Sequence, residues 1–139
     1  MRNSKPILLV EDDRIDAMAV KRALKDLKVT NKLIHTTDGE GALEYLRDES
    51  NKKPCVVLLD LKMSKMNGIE FLKIVKADDE LKKIPVVVLT TSKDEQDVVE
   101  SFKLGVAGYM VKTFDYKKFV ETIRAIDLYW TLSELPSGE

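Results

Sequence analysis

The sequence predicts an α/β fold, a parallel five-stranded sheet with five helices covering both faces. Two observations lead there. Short apolar runs of strand length alternate along the chain with longer segments of helical period, and the runs are spaced widely enough for crossover connections. The strands also read as continuously apolar, as buried parallel strands do, rather than alternating with polar residues. Right-handed crossovers then bring the carboxyl end of every strand to one edge of the sheet. In a sheet of order 2-1-3-4-5, the ends of strands one, three, four and five are neighbours along that edge.

The elements follow in order. "ILLV" (Ile7 to Val10) is the first strand, and Asp13 can cap the helix after it, with Ile15, Ala19, Ala23 and Leu27 recurring every four residues as its buried face. "KLIH" (Lys32 to His35) is the second strand, in which His35 is a partly buried residue. A helix over Gly39 to Asp48 begins "GEGALE", which lacks the third glycine of a dinucleotide loop and carries acids where phosphate would sit. "CVVLL" (Cys55 to Leu59) is the third strand, opened by a cysteine that serves as a small core residue. Asn67 caps a helix over Gly68 to Ala77, and "IPVVVL" (Ile84 to Leu89) is the fourth strand. Asp94 caps a helix over Glu95 to Leu104, with Gly105 as its stop. "GYMV" (Gly108 to Val111) is the fifth strand, and a last helix from Asp115 carries Phe119, Ile123, Ile126 and Trp130 on one face. With no repeat, low-complexity linker or break in composition, the expectation is one domain over 1–139, with a short C-terminal extension from about residue 129.

Composition narrows the function classes. A chain of 139 residues, 44% hydrophobic and 34% charged, is long enough for a sizeable core. Its formal net charge is -1, with no basic stripe or polybasic cluster, which argues against nucleic acid or a membrane surface as partner. One cysteine and one histidine cannot build an internal disulfide or a zinc site. The opening "MRNSKP" is followed by only four apolar residues before acids begin, too few for a signal peptide or membrane span, so a cytoplasmic location is expected.

Chemistry collects at the shared strand edge. The first strand delivers Glu11 and Asp12, the third Asp60, the fourth Thr90 and the fifth Lys112. Each alone has an ordinary reading: an acid near a helix start, a strand hydroxyl, a lysine that snorkels to the surface. Together they make a site. Clustered carboxylates repel one another and call for a cation, and hard oxygen ligands suit Mg²⁺. Asp60 is then poised as a nucleophile able to accept a phosphoryl group, with Thr90 and Lys112 neutralising the transferred oxygens.

The series "LLVEDD", "LLDLKMSKMNG", "VVVLTTS", "GYMVK" resembles the receiver domain of two-component response regulators through nearly the whole chain. "LTTS" and the C-terminal "AIDLYWTLSELP" are similar more narrowly to stand-alone regulators paired with bacterial phytochrome kinases. The resemblance implies a flavodoxin-like fold and a protein that takes a phosphoryl group from a sensor histidine kinase and signals by contact with a target protein or by passing the phosphoryl group on in a phosphorelay. Such a protein is not an enzyme beyond its own phosphorylation and dephosphorylation. It implies Asp60 as phospho-acceptor, and Asp12 and Asp60 as Mg²⁺ ligands with the Lys62 backbone carbonyl, Glu11 assisting. Thr90 and Lys112 would bind the phosphoryl group, and Tyr109 would switch rotamer on activation. Asp13 falls outside the acidic pair. The phytochrome-linked likeness also implies a homodimer through the final helix and its neighbouring strand, with Tyr129, Trp130 and Leu132 contributing; the competing reading folds Trp130 back onto its own domain.

Three positions depart from the family pattern. Thr113 stands where a proline usually follows the lysine through a cis bond, Ser64 replaces a loop proline, and Lys62 puts a cation two residues beyond the acceptor, a position that tunes acyl-phosphate hydrolysis in the family. A degenerate receiver that binds partners without phosphorylation draws its support from Thr113. A haloacid-dehalogenase-type phosphatase would need an acid where Lys62 stands, and a flavin binder would need a Ser/Thr/Gly-rich loop after the first strand.

Overall fold

A computed structural model describes the backbone of residues 5–132 and side chains as far as residue 128. The strands are β1 (Ile7–Val10), β2 (Leu33–Thr36), β3 (Val56–Leu59), β4 (Val86–Thr90) and β5 (Gly108–Val111). The helices are α1 (Arg14–Asp26), α2 (Gly39–Arg47), α3 (Gly68–Ala77), α4 (Glu95–Lys103) and α5 (Tyr116–Leu132), with a 3-10 turn at Leu81–Lys83. The sheet is parallel in the order β2-β1-β3-β4-β5. Both the fold class and the strand order expected from the sequence are therefore observed.

Strand alternation divides the core in two. Leu8, Val10, Val57, Leu59, Val86 and Val88 face one side, against α2 and α3 residues that include Ala42, Leu46, Phe71 and Leu72. Ile7, Leu9, Val56, Leu58, Val87 and Leu89 face the other, against Ala17, Val20 and Ala23 of α1 and Phe119, Ile123 and Ile126 of α5. Cys55 is buried with this second group. The central strands need apolar residues at every position because both faces are covered.

The caps behave as their chemistry requires. Asp13 accepts from the Ile15 and Asp16 amides, Asn67 and Glu70 form a reciprocal capping box, and Asp94 accepts from the Gln96 amide. Gly105 ends α4 in the left-handed region at φ 90°. Gly68 answers a different need: a Cβ there would lie 2.7 Å from the Asp60 carbonyl oxygen and from Leu61 Cα. The start of α3 thus packs directly against the chain leaving β3.

Several expectations need correction, among them the start of β3, which is Val56 rather than Cys55. The row Ile15, Ala19, Ala23, Leu27 is not the buried face of α1; Ile15 is 77% exposed, and the buried stripe is Ala17, Val20, Ala23 and Leu24. A strict four-residue repeat drifts by about 40° per step around a 3.6-residue helix, so the row crosses the interface obliquely and leaves its first member outside. Strand β2 is displaced by one residue, to Leu33–Thr36. In turn, β4 starts at Val86 because Pro85 has no N–H for the ladder, although its carbonyl still accepts from the Val57 amide at 2.9 Å. In the final helix Phe119, Ile123 and Ile126 are buried as expected, whereas the side chains of Tyr129, Trp130 and Leu132 lie outside the described residues.

Candidate functional site: an acidic pocket at the carboxyl edge of the sheet

The backbone registers β1 against β3 so that Val10 pairs with Leu59, and the next residues, Glu11 and Asp60, leave the sheet side by side. Asp60 N donates to the Val10 carbonyl at 3.0 Å, which fixes the start of the β3–α3 loop against β1. Glu11, Asp12 and Asp60 each place a carboxylate oxygen within 4.8 Å of the others. Glu11 and Asp60 are buried, and Asp12 is exposed. Three oxygen donors converging with one side open to water fit a hard divalent cation that keeps part of its hydration shell. Asp13 takes no part in this cluster, since its carboxylate caps α1.

The carboxylates are held in place by backbone donors. The Asp13 amide donates to Glu11 Oε2 at 3.1 Å, the Ser64 amide to Asp12 Oδ2 at 3.2 Å, and the Lys62 amide to Asp60 Oδ1 at 3.3 Å. The loop that carries Ser64 and Lys62 is thereby tied to the acidic pocket by main-chain groups, with no proline in it.

Lys112 enters from β5. Its backbone N–H donates to the Thr90 carbonyl at 2.7 Å, and its side chain is only 9% exposed. The ammonium donates to Glu11 Oε1 at 2.6 Å and to Asp16 Oδ2 at 2.7 Å, and it lies 3.5 Å from Asp60 Oδ2. No cis peptide occurs among the described residues, so the Lys112–Thr113 bond is trans, and the lysine still reaches the pocket. Burial pulls the Lys112 pKa down, but the hydrogen bonds it donates to Asp16 and Glu11 outweigh it, and the net shift is upward, so the ammonium stays charged. Burial acts oppositely on Glu11: it raises that carboxyl to about 7 despite the attraction of Lys112.

Thr90 is fully buried at the end of β4, and its hydroxyl accepts from the Ser92 amide at 3.4 Å. Tyr109 on β5 is half-buried and donates to the Ser92 carbonyl at 3.1 Å. Ser92 Oγ donates to Asp97 Oδ2 at 2.6 Å, and that same oxygen lies 3.5 Å from Lys62 Nζ. The β4–α4 loop therefore links the Tyr109 ring to the loop after Asp60 through Ser92 and Asp97. His35 Nε2 lies 2.8 Å from the Glu11 carbonyl, which braces the end of β1.

The structure gathers Glu11, Asp12, Asp60 and Lys112 into one pocket and sets Thr90 at the same edge. Sequence reasoning missed three contributors: Asp16, Ser92 and Asp97. Asp16 was legible as one helical turn beyond Asp12, but it also looked like an ordinary first-turn acid. Ser92 and Asp97 acquire meaning only once the β4–α4 loop folds back.

A parallel sheet of this order with acidic, hydroxyl and ammonium groups at its carboxyl edge defines a receiver module. The family model for the response regulator receiver domain matches residues 7–124, and the chain belongs to that family as a response regulator of two-component systems. Response regulator Rcp1 of Synechocystis sp. is 38% identical over 130 residues, covering 91% of this chain and 88% of that protein. The crystal structure of Rcp1 in its Mn²⁺-bound form superposes with a TM-score of 0.87, covering 95% of this chain and 99% of that one. The phosphorylated cyanobacterial phytochrome response regulator RcpA has a TM-score of 0.89 at 35% identity, covering 96% of this chain and 99% of that one. The bacteriophytochrome response regulator RtBRR has a TM-score of 0.77 at 44% identity, covering 98% of this chain and 86% of that one. No helix among the described residues is long and apolar enough to cross a membrane.

Proposed function

We propose that this protein is a phospho-accepting response regulator that takes a phosphoryl group from a sensor histidine kinase onto Asp60. The observation that carries the reading is the position of Asp60: buried, 3.5 Å from the Lys112 ammonium, and grouped with Glu11 and Asp12. An Asp60 carboxylate oxygen attacks phosphorus, the phosphorus–nitrogen bond to the kinase imidazole breaks, and an acyl phosphate forms on Asp60. Lys112 neutralises developing negative charge, and the Thr90 hydroxyl, at the same edge of the sheet, donates to a phosphoryl oxygen in this reading. Mg²⁺ held by Asp12, Asp60 and the Lys62 carbonyl, with Glu11 assisting, would supply the remaining neutralisation. A phosphorylated and a Mn²⁺-bound relative support this chemistry. Apart from forming and losing its own acyl phosphate, the protein catalyses nothing.

Tyr109 and Thr90 form the switch in this reading, since Tyr109 is joined to the loop following Thr90 by one hydrogen bond at its hydroxyl. Ile15, Met18 and Phe114, large exposed apolar residues around the start of α1 and the loop after Lys112, supply a surface for the kinase. The phytochrome regulators among the relatives favour a bacterial phytochrome as that kinase. A homodimer through α5 and β5 draws support from exposed Val111 and Leu128, and sedimentation across concentration tests it.

Incubation with Mg²⁺ and a small acyl phosphate, followed by intact-mass measurement, tests the central claim. Wild type should gain one phosphoryl group and Asp60→Asn none. Label on Thr90 or Thr91, or a labelled Asp60→Asn protein, defeats the assignment. Mg²⁺ should also raise the melting temperature of wild type, because an ion bound only by the native state adds about 2.7 kcal/mol at a concentration 100 times its Kd.

A further inference from the structure

We propose that Asp16 is a positioning residue that holds the Lys112 ammonium in place for phosphoryl transfer to Asp60; this rests on the phospho-acceptor reading above. A lysine side chain is long, with considerable rotamer freedom, and a single carboxylate partner fixes its length more than its direction. Here the ammonium is gripped from two elements. Glu11, at the end of β1, accepts at 2.6 Å, and Asp16, in the first turn of α1, accepts at 2.7 Å. An ammonium has three N–H donors, so two are used and one remains for Asp60 Oδ2, 3.5 Å away. That separation is longer than a hydrogen bond, leaving the third donor for an oxygen that arrives with the phosphoryl group.

Asp16 is suited to this task by what it is not. It lies outside the group of carboxylates that converge on the cation site, which consists of Glu11, Asp12 and Asp60. Glu11 is shared between that site and Lys112, so its hold on the lysine is subject to the cation. Asp16 has no such second obligation and can keep the lysine in one direction. Its side chain is 37% exposed, so water screens the pair on the Asp16 side while Glu11 keeps the ammonium paired, and the effect of Asp16 is chiefly on geometry.

The test uses the full chain with Asp16→Asn and Asp16→Glu. The first readout is the ¹⁵N signal of the Lys112 ammonium, which should exchange slowly in wild type and broaden in Asp16→Asn. The second is the rate of labelling by a small acyl phosphate in saturating Mg²⁺. We expect Asp16→Asn to lower the maximal rate roughly 10-fold at unchanged half-saturating donor, and Asp16→Glu to restore most of it. The third is thermal stabilisation by Mg²⁺, which should match wild type in both variants.

An Asp16→Asn protein labelled at the wild-type rate overturns the proposal, as does an unchanged ammonium signal. Loss of the Mg²⁺ effect overturns it too, since Asp16 would then act on the cation. Failure of Asp16→Glu to rescue the rate would mean a structural role only. If wild type itself takes no label, the phospho-acceptor reading has failed, an outcome distinct from a labelled wild type with an indifferent Asp16.

Discussion

Two lysines flank Asp60, and they occupy different physical settings. Lys112 is 9% exposed and engages three carboxylates, those of Glu11 and Asp16 at hydrogen-bond distance and that of Asp60 at 3.5 Å. Lys62 is 62% exposed and, among the described residues, pairs with Asp97 at 3.5 Å. The first is buried among carboxylates, where an unpaired charge is expensive and geometry is held tightly. The second sits in solvent, where an ion pair is screened and nearly neutral for stability. Lys62 touches Asp60 through its main-chain amide and Lys112 approaches it with its ammonium, so the two cations do not share a setting; burial separates them.

The largest expected effect comes from removing the buried one. Lys112→Met should slow phosphoryl labelling about 100-fold or more, the cost of losing one preorganised donor at a developing anion. It should also destabilise the fold, since Glu11 and Asp60 lose their resident counter-charge. Glu11 can relieve that loss by taking up a proton, so the destabilisation should grow as pH rises. Denaturation of Lys112→Met and wild type at pH 6 and pH 8 checks this. Equal stability at both values would show that the ammonium is not the counter-charge of the pocket.

A smaller effect follows from Glu11 itself. Burial raises its carboxyl from 4.5 to about 7 in the folded chain, so between those values the unfolded chain is ionised while the folded one still holds its proton. The unfolded state binds fewer protons in that window, and stability must fall as pH rises from 4.5 towards 7. Relative to Glu11→Gln, metal-free wild type should lose stability across the window and level off above it. Mg²⁺ should oppose the trend, because its binding favours the ionised carboxylate. A wild type whose stability relative to Glu11→Gln rises over the same window would contradict the assigned shift.

The comparison also explains what was readable in the sequence. Strand ends are fixed by local pattern, so "LLVEDD", "CVVLLD" and "YMVK" announced Glu11, Asp12, Asp60 and Lys112 as soon as a parallel sheet was inferred. Those four side chains meet because crossovers place strand ends on one edge. The buried face of α1 was harder, because its apolar residues satisfy more than one helical row and only packing against α5 selects between them. Asp16 could be placed in the first turn of α1, but not its role: its partner lies 96 positions away, and first-turn acids are common without any partner but the helix dipole. Ser92 and Asp97 depend on how a loop folds back, which residue patterns specify weakly.

The smallest effect should come from the exposed lysine. Lys62→Ala removes a pair that is screened by water on the lysine side, and such pairs contribute roughly 0–1 kcal/mol. Its partner is not abandoned, since Asp97 still accepts from Ser92 Oγ at 2.6 Å, and Ser92 keeps its backbone contact with the Tyr109 hydroxyl. Stability should therefore change by less than about 0.5 kcal/mol, and that small difference should shrink further in high salt. The Lys62 amide, which donates to Asp60 Oδ1, survives the substitution because it belongs to the main chain. The effect of Lys62→Ala on labelling should be confined to a few-fold change in how long the acyl phosphate lasts, read by following the phosphorylated mass after donor removal. Should Lys62→Ala match Lys112→Met in lost stability or labelling rate, burial would not be what distinguishes these two cations.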